Sequence, residues 1–187
     1  MTGTERPLRA DARRNREKIM ASAAELFARL GTEAQMDQIA EHSGLGLGTL
    51  YRHFPTKDAL LAAIVGKRFE DLAGLALEAE RIADPGEAFE TLLRRYLESA
   101  EGDAAFQLAV LDSGRGGLQK APVAHKGEFR AILGRIIERA IAAGAVRADL
   151  TVADFPVIAG GVMATMYYQP GDWRRHLDLV LDGIRVT

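Results

Sequence analysis

Apolar residues recur at intervals of three and four along almost the whole chain, and this spacing restricts the fold more than any other feature. From Arg13 to Leu30 the residues Ile19, Ala23, Leu26, Phe27 and Leu30 draw one stripe down a helix that Gly31 can end. Short helices follow over Met36 to His42 and Leu47 to Phe54, separated by Ser43-Gly44-Leu45-Gly46 and stopped at Pro55. Thr56 is placed to cap a fourth helix that buries Leu60, Leu61, Ile64, Val65, Phe69, Leu72 and Leu75. Asp84-Pro85-Gly86-Glu87 restarts the chain as an N-cap with proline at the first helical position, ahead of the stripe Phe89, Leu92, Leu93, Tyr96, Leu97. A short helix is expected around Asp103 to Asp112, ending at Ser113-Gly114-Arg115-Gly116-Gly117, which has the composition of a hinge or loop. Pro122 is read as opening a long helix with Phe129, Ile132, Leu133, Ile136, Ile137 and Ile141 inward, ending near Gly144. Thr151 or Asp154 caps the next, which runs through Ile158, Val162, Met163 and Met166 to Tyr168. In the last, Asp172 is the N-cap and Trp173, Leu177, Val180, Leu181 and Ile184 share a face. No segment alternates as a strand would, so the fold class is all-α, with about nine helices.

Such a fold must be held by its apolar faces alone, because the 187 residues include no cysteine. That absence excludes a disulfide framework, thiolate metal sites and a cysteine nucleophile. It suits a cytoplasmic location. The first residues carry charge where a signal peptide carries an apolar core, and no apolar run approaches the ~20 residues of a membrane span, so no membrane partner is expected. His42, His53, His125 and His176 fall at no metal-ligand spacing. There is no H-E-x-x-H and no phosphate loop, and Leu45-Gly-Leu-Gly-Thr49 follows no strand. No catalytic residue, metal or cofactor is assigned, and the chain is read as a non-enzyme.

The stretch from Gln35 to Phe54 has the layout of a helix-turn-helix. Ala40 is the small residue at the helix crossing, Gly44 the turn residue able to take positive φ, and Ile39, Leu45 and Leu50 lock the pair. A plain αα corner is the competing reading. The polar groups favour recognition: with Leu50 and Phe54 inward, the rest of the second helix presents Leu47, Gly48, Thr49, Tyr51, Arg52 and His53, and Gly46 and Gly48 permit close backbone approach. Lys57 stands in the first turn of the following helix, where a phosphate would use both its ammonium and free N–H groups.

These residues also carry a resemblance. Leu50-Tyr51-Arg52-His53-Phe54-Pro55-Thr56-Lys57-Asp58-Ala59-Leu60-Leu61, preceded by Ile39-Ala40, Gly44 and Ala24-Glu25-Leu26-Phe27 with Gly31, is similar to the DNA-binding domain of TetR-type transcriptional regulators over roughly Arg13 to Phe69. The resemblance implies that the helix Leu47 to Phe54 reads bases. It also implies that Tyr51, His53 and Lys57 touch phosphates, with Thr49 at the base-reading end. Gly46 stands where that family often has serine, Leu47 where a basic residue is frequent, and Gln35 where threonine is common. These departures bear on operator sequence rather than docking mode.

The resemblance further implies a helical C-terminal domain that binds a small-molecule effector, and a homodimer made by the last two helices. We therefore divide the chain into a DNA-binding domain at 1–69, with the helix-turn-helix at 35–54, and a ligand-binding and dimerisation domain at 70–187. Tyr96, Phe106, Gln107, Leu111, Phe129, Met163, Met166 and Tyr167 are candidate pocket residues, ordinary core being the competing reading for each. Gly160, Gly161 and Ala164, which would let a helix approach closely, join Trp173, Leu177, Val180, Leu181 and Ile184 as a candidate dimer face. Packing of those same faces within one chain is the alternative.

The formal net charge of -2 argues by itself against a nucleic-acid partner. Counted by region, Met1 to Lys57 holds 9 basic and 7 acidic residues, net +2, against 15 and 19, net -4, from Asp58 onward. The charge is thus consistent with DNA meeting only the N-terminal part. Cations at Arg13, Arg14, Arg16 and Lys18 oppose the dipole of the helix they begin, so helix stability does not explain them. The function expected is a ligand-responsive dimeric repressor on a palindromic operator. The alternatives are an all-α small-molecule-binding protein or enzyme without operator binding, and a protein-binding adaptor.

Overall fold

The structure, a computed structural model, describes residues 5–103, 106–107, 125–168 and 172–186. Within them lie eight α-helices, and no strand: α1 Glu5–Leu30, α2 Met36–His42, α3 Leu47–His53, α4 Lys57–Glu80, α5 Pro85–Ala100, α6 Lys126–Ala142, α7 Asp154–Tyr168 and α8 Trp173–Ile184. Phe106 and Gln107 are also helical, where a short helix is expected. The rest of that helix, with Leu111, Asp112, the Gly114 to Gly117 stretch, Pro122 and Gln169-Pro170-Gly171, falls outside the described residues. Among the described residues no helix is long and apolar enough to cross a membrane.

Two boundaries depart from the spacing argument. α1 begins at Glu5 rather than near Arg13, because Pro7 lies in the first turn, where a missing N–H costs nothing. α6 begins at Lys126, not Pro122, because His125 takes a left-handed conformation (φ 62°) that a continuous helix cannot contain. The caps otherwise sit where side-chain chemistry puts them. Asp84 accepts from the Glu87 N–H at 2.7 Å, Thr56 Oγ1 from the Ala59 N–H at 3.0 Å, and Asp172 from the Arg175 N–H at 3.1 Å. At α7 the Asp154 carboxylate reaches back to the Thr151 N–H (2.8 Å) and hydroxyl (2.7 Å).

The chain forms two compact units, Met1–Ile64 and Val65–Thr187, and the division falls inside α4. In the first unit α1 packs on both α2 and α3, burying Ile19, Ala23, Phe27, Ile39, Leu50 and Phe54. In the second, α5 packs on α6 and α7, and α7 on α8. Their shared core runs from Leu72 and Ala76 of α4 through Phe89, Leu93 and Leu97, Leu133 and Ile136, and Val162 and Met163, to Leu177 and Leu181.

Ion pairs fasten the perimeter of this second unit. Arg185 grips Glu90 with two hydrogen bonds (2.6 and 2.7 Å), Arg135 grips Glu80 (2.6 and 3.0 Å), and Arg174 reaches Glu101 at 2.8 Å. The guanidinium beside each carboxyl holds Glu80, Glu90 and Glu101 below the ordinary carboxylate range. A folded-state value below the unfolded one means stability that is complete above the unfolded carboxylate range and lost as pH falls through the folded values. Glu90→Gln is therefore expected to lower the urea midpoint at neutral pH, with the difference from wild type vanishing in acid. Equal differences at both pH values would refute this account.

Candidate nucleic-acid interface

The two short helices of the first unit are assembled by a turn that only certain residues permit. Gly44 sits at φ 67°, the left-handed region that the spacing requires of it, and the Leu45 N–H closes on the Ala40 carbonyl at 3.1 Å. At the start of α2 the Gln38 side-chain carbonyl accepts from the Gln35 N–H at 2.9 Å, one half of a capping box. Gln35 thus serves the helix start where the related pattern has threonine. α3 starts from Gly46, whose extended conformation (φ -66°, ψ 144°) suits an N-cap but which offers no side-chain oxygen.

Leu50 is fully buried and Phe54 nearly so, and this pair decides which way every other side chain of α3 faces. The face opposite Leu50 carries Gly48 and Arg52, with the half-buried Thr49 on its flank. Arg52 folds back along the helix, donating to the Gly48 carbonyl at 3.2 Å and to Thr49 Oγ1 at 3.3 Å, so the two polar groups form one linked surface. A β-carbon built on Gly46 or Gly48 would meet nothing within 4 Å, leaving room for close approach along that surface. Leu47 and Tyr51 are 43% and 46% exposed, and the half-buried His53 ring lies 6.4 Å from that of Phe54. At the start of α4 the half-buried Lys57 ammonium lies over the Phe27 ring at 5.8 Å. Gly46, Leu47, Gly48, Thr49, Tyr51, Arg52, His53 and Lys57 all fall in this first unit, on α3 and the adjoining turns. Arg16 of α1, one of the cations that helix stability does not explain but not among the candidate site residues, joins them: its guanidinium lies 5.0 Å from the Phe54 centroid.

The candidate pocket residues come together differently. Tyr96, Phe106 and Phe129 are buried and pack on one another at 5.8–5.9 Å between centroids, joined by Phe155 at 5.1 Å from Tyr96 and by Phe69. Burial pushes the Tyr96 phenol well above its ordinary range, with Arg68 pulling the other way. Gln107, also buried, donates to the Ala100 carbonyl at 2.7 Å and lies 3.8 Å from the Met166 sulfur, and Met163 is fully buried. The rings form one aromatic cluster among the described residues. The Tyr167 side chain, like Leu111, falls outside them.

The candidate dimer face divides. Trp173, Leu177, Leu181 and Ile184 point into the chain's own core, 0–6% exposed, and the Trp173 indole N–H donates to Glu101 at 3.1 Å. α5 and α7 supply the apolar surface that covers them, so this stripe is not an outer surface of the chain. Gly160, Ala164 and Val180 are half-buried and Gly161 is exposed. Beside them, unnoticed in the sequence, lie Val157 at 73% and Leu179 at 57% exposure. They border a groove of about 390 Å³ formed with Arg147, Asp149, Leu150, Asp154, Ile158, Val180, Gly183 and Ile184.

With this geometry in hand, comparison with known proteins gives two family matches. Residues 19–64 match the model of bacterial regulatory proteins of the tetR family, and residues 84–186 match the C-terminal domain of SbtR-like transcriptional regulators. The chain belongs to the TetR family. A crystal structure of a TetR transcription regulatory protein from Mycobacterium vanbaalenii is 35% identical, covering 96% of this chain and all of that one with a TM-score of 0.62. An HTH-type transcriptional regulator of Staphylococcus aureus is 42% identical over 59 residues, 31% of this chain. That match spans only about a third (32%) of the relative's own length. The FadR regulator of Bacillus subtilis, solved in complex with stearoyl-CoA, shares the fold at 18% identity and a TM-score of 0.71, covering 89% of this chain and 95% of that one. The TetR-family chain is a helix-turn-helix transcriptional regulator and not an enzyme.

Two glycines of its turn give opposite expectations. Gly44→Ala forces a side chain into the left-handed region with no new contact to offset it, and is expected to cost about 1–2 kcal/mol. Gly46→Ser adds a capping hydroxyl at a conformation any residue adopts and should gain a few tenths of a kcal/mol. Urea unfolding of both variants checks the signs.

Proposed function

We propose that this regulator is an effector-responsive repressor that binds a palindromic DNA operator as a homodimer, with α3 in the major groove. The observation that carries the reading is the sidedness of α3. Leu50 and Phe54 hold one face in the protein, while Arg52 stands opposite and is linked to Thr49 on one flank, with Tyr51 on the other flank and the half-buried His53 nearer the protein. Thr49 and Arg52 are the base-reading pair, and Tyr51, His53 and Lys57 hold flanking phosphates. Leu47 is an aliphatic partner for a thymine methyl.

One such helix reads few base pairs, so two-fold pairing of half-sites ~34–36 Å apart supplies the remaining specificity. The second copy docks on the outer face of α7 and α8 through Val157, Leu179 and Val180, where Gly160, Gly161 and Ala164 allow close approach. The inward stripe of α8 takes no part in that contact. The effector enters the region of Tyr96, Phe106, Phe129 and Met166, prising apart packed side chains, and α4 carries the change toward Lys57 as a population shift. The FadR likeness supports a small-molecule role for such a domain without naming the compound.

Selection from random duplexes is expected to enrich two inverted half-sites. Thr49→Ala should relax preference at one position per half-site by ~1–3 kcal/mol. Val157→Asp with Leu179→Asp should yield monomers by sedimentation and weaken operator binding by roughly 10² or more. No enriched motif would overturn the operator reading. Dimers that survive both aspartates would overturn the interface.

A further inference from the structure

α1 reaches Glu5, more than three turns before the family match begins at residue 19, and its early turns carry one chemistry on one face. Arginines stand at positions 6, 9, 13 and 16, spacings of three, four and three that confine them to about 80° of the helix circumference at 100° per residue. Met20, Ala23 and Phe27 continue the same face, and the last two are buried within the three-helix unit. The face of α1 that is core toward its C-terminus is thus an arginine row toward its N-terminus. Arg16 marks the junction. Its guanidinium lies over Phe54, the residue that ends α3, and donates to the Met20 sulfur at 3.1 Å. Arg13, 78% exposed at its side chain, lies 3.7 Å from the Glu17 carboxylate.

We propose that this row is a second DNA contact, an arm whose Arg13 and Arg16 bind backbone phosphates of duplex DNA beside the groove occupied by α3. The inference rests on the α3 reading for its placement, since Arg16 is anchored at the end of that helix. Like charges three and four residues apart on one helix face repel one another, so the row weakens α1 unless an anion meets it. A duplex, with a negative charge about every 1.7 Å of axis, is such an anion. The contact carries no base information, so it strengthens binding to every sequence alike. Arg14 supplies an internal control: it lies about 100° around the helix from Arg13 and is paired with Asp11.

The test is the salt dependence of binding, read by fluorescence anisotropy on the selected operator duplex and on a scrambled duplex, with the full chain. Arg13→Gln and Arg16→Gln should each lower the slope of log affinity against log salt by about 1, and the double variant by about 2. Each should weaken binding to both duplexes roughly 5- to 10-fold near 0.1 M salt. Arg14→Gln should leave slope and affinity as in wild type. Arg16→Lys, which keeps the charge, should keep the slope and so separates phosphate binding from any loosening of Phe54. A double variant with the wild-type slope, or an Arg14→Gln variant that loses as much as Arg13→Gln, would overturn the arm. Wild-type protein that binds both duplexes equally, yet loses slope in the double variant, would sustain the arm and overturn sequence reading by α3.

Discussion

The recognition helix depends on Leu50 and Phe54, because seven residues are far too few to stay helical on their own propensity. A nucleus of one or two turns is unfavourable in water, so α3 exists only while these side chains remain packed against α1 and α2. Everything the helix offers to DNA follows from that burial. With Leu50 fixed inward, the 100° step per residue leaves Gly48 and Arg52 outward, sets Thr49 and Tyr51 on the two flanks and keeps His53 nearer the protein. The positive φ of Gly44 then sets the crossing that brings Ile39 and Leu50 into the same core. Stability and recognition share one set of contacts, which is why the anchors can be apolar while the reading face remains free to vary.

The second unit solves a different problem. Its core is rich in aromatic contacts: Tyr96 touches Phe106, Phe129 and Phe155, and Phe69 joins from α4. Such rings fill space in a few rigid pieces, so parting two of them opens a large volume at once. Arg68 lies beside this group, over the Phe106 ring at 5.3 Å and 3.6 Å from Asp103, with its Nε buried and without a hydrogen-bond partner. The ion pairs of Glu80, Glu90 and Glu101 lie on the perimeter, where they fix α6 and α8 against their neighbours without stiffening the aromatic centre.

Much of this was legible from residue spacing. The caps at Thr56, Asp84 and Asp172, the turn at Gly44 and the inward pair on α3 follow from local chemistry, which acts over three or four residues and leaves a local signature. The start of α6 was not legible, because nothing in its composition announces the left-handed His125. The expected division at 69/70 lies inside the fourth helix, as does the observed one at 64/65; a helix that runs unbroken through two units keeps its periodicity and offers no linker to fix the exact residue. Arg16 stood out as a cation, but its seat beside α3 was not legible, because Phe54 lies 38 residues away in the sequence and a cation seated on a ring leaves no pattern of its own.

The stripe on α8 shows the deeper limit. Periodicity establishes that Trp173, Leu177, Leu181 and Ile184 are covered, and it is silent on what covers them. Here the cover is the same chain, since α5 and α7 already present apolar faces and Glu101 meets the indole N–H. Once that stripe is spent, any surface for a second copy must come from residues outside the amphipathic pattern. Val157 and Leu179 are such residues: both lie off the buried faces of their helices and stand open, beside the half-buried Ile158 and Val180. An apolar residue out of register with its own helix therefore says more about an outer contact than one in register does. The same logic, with the sign of the chemistry reversed, applies to the arginines of α1, which are in register with a buried face but lie beyond the end of the core that would bury them.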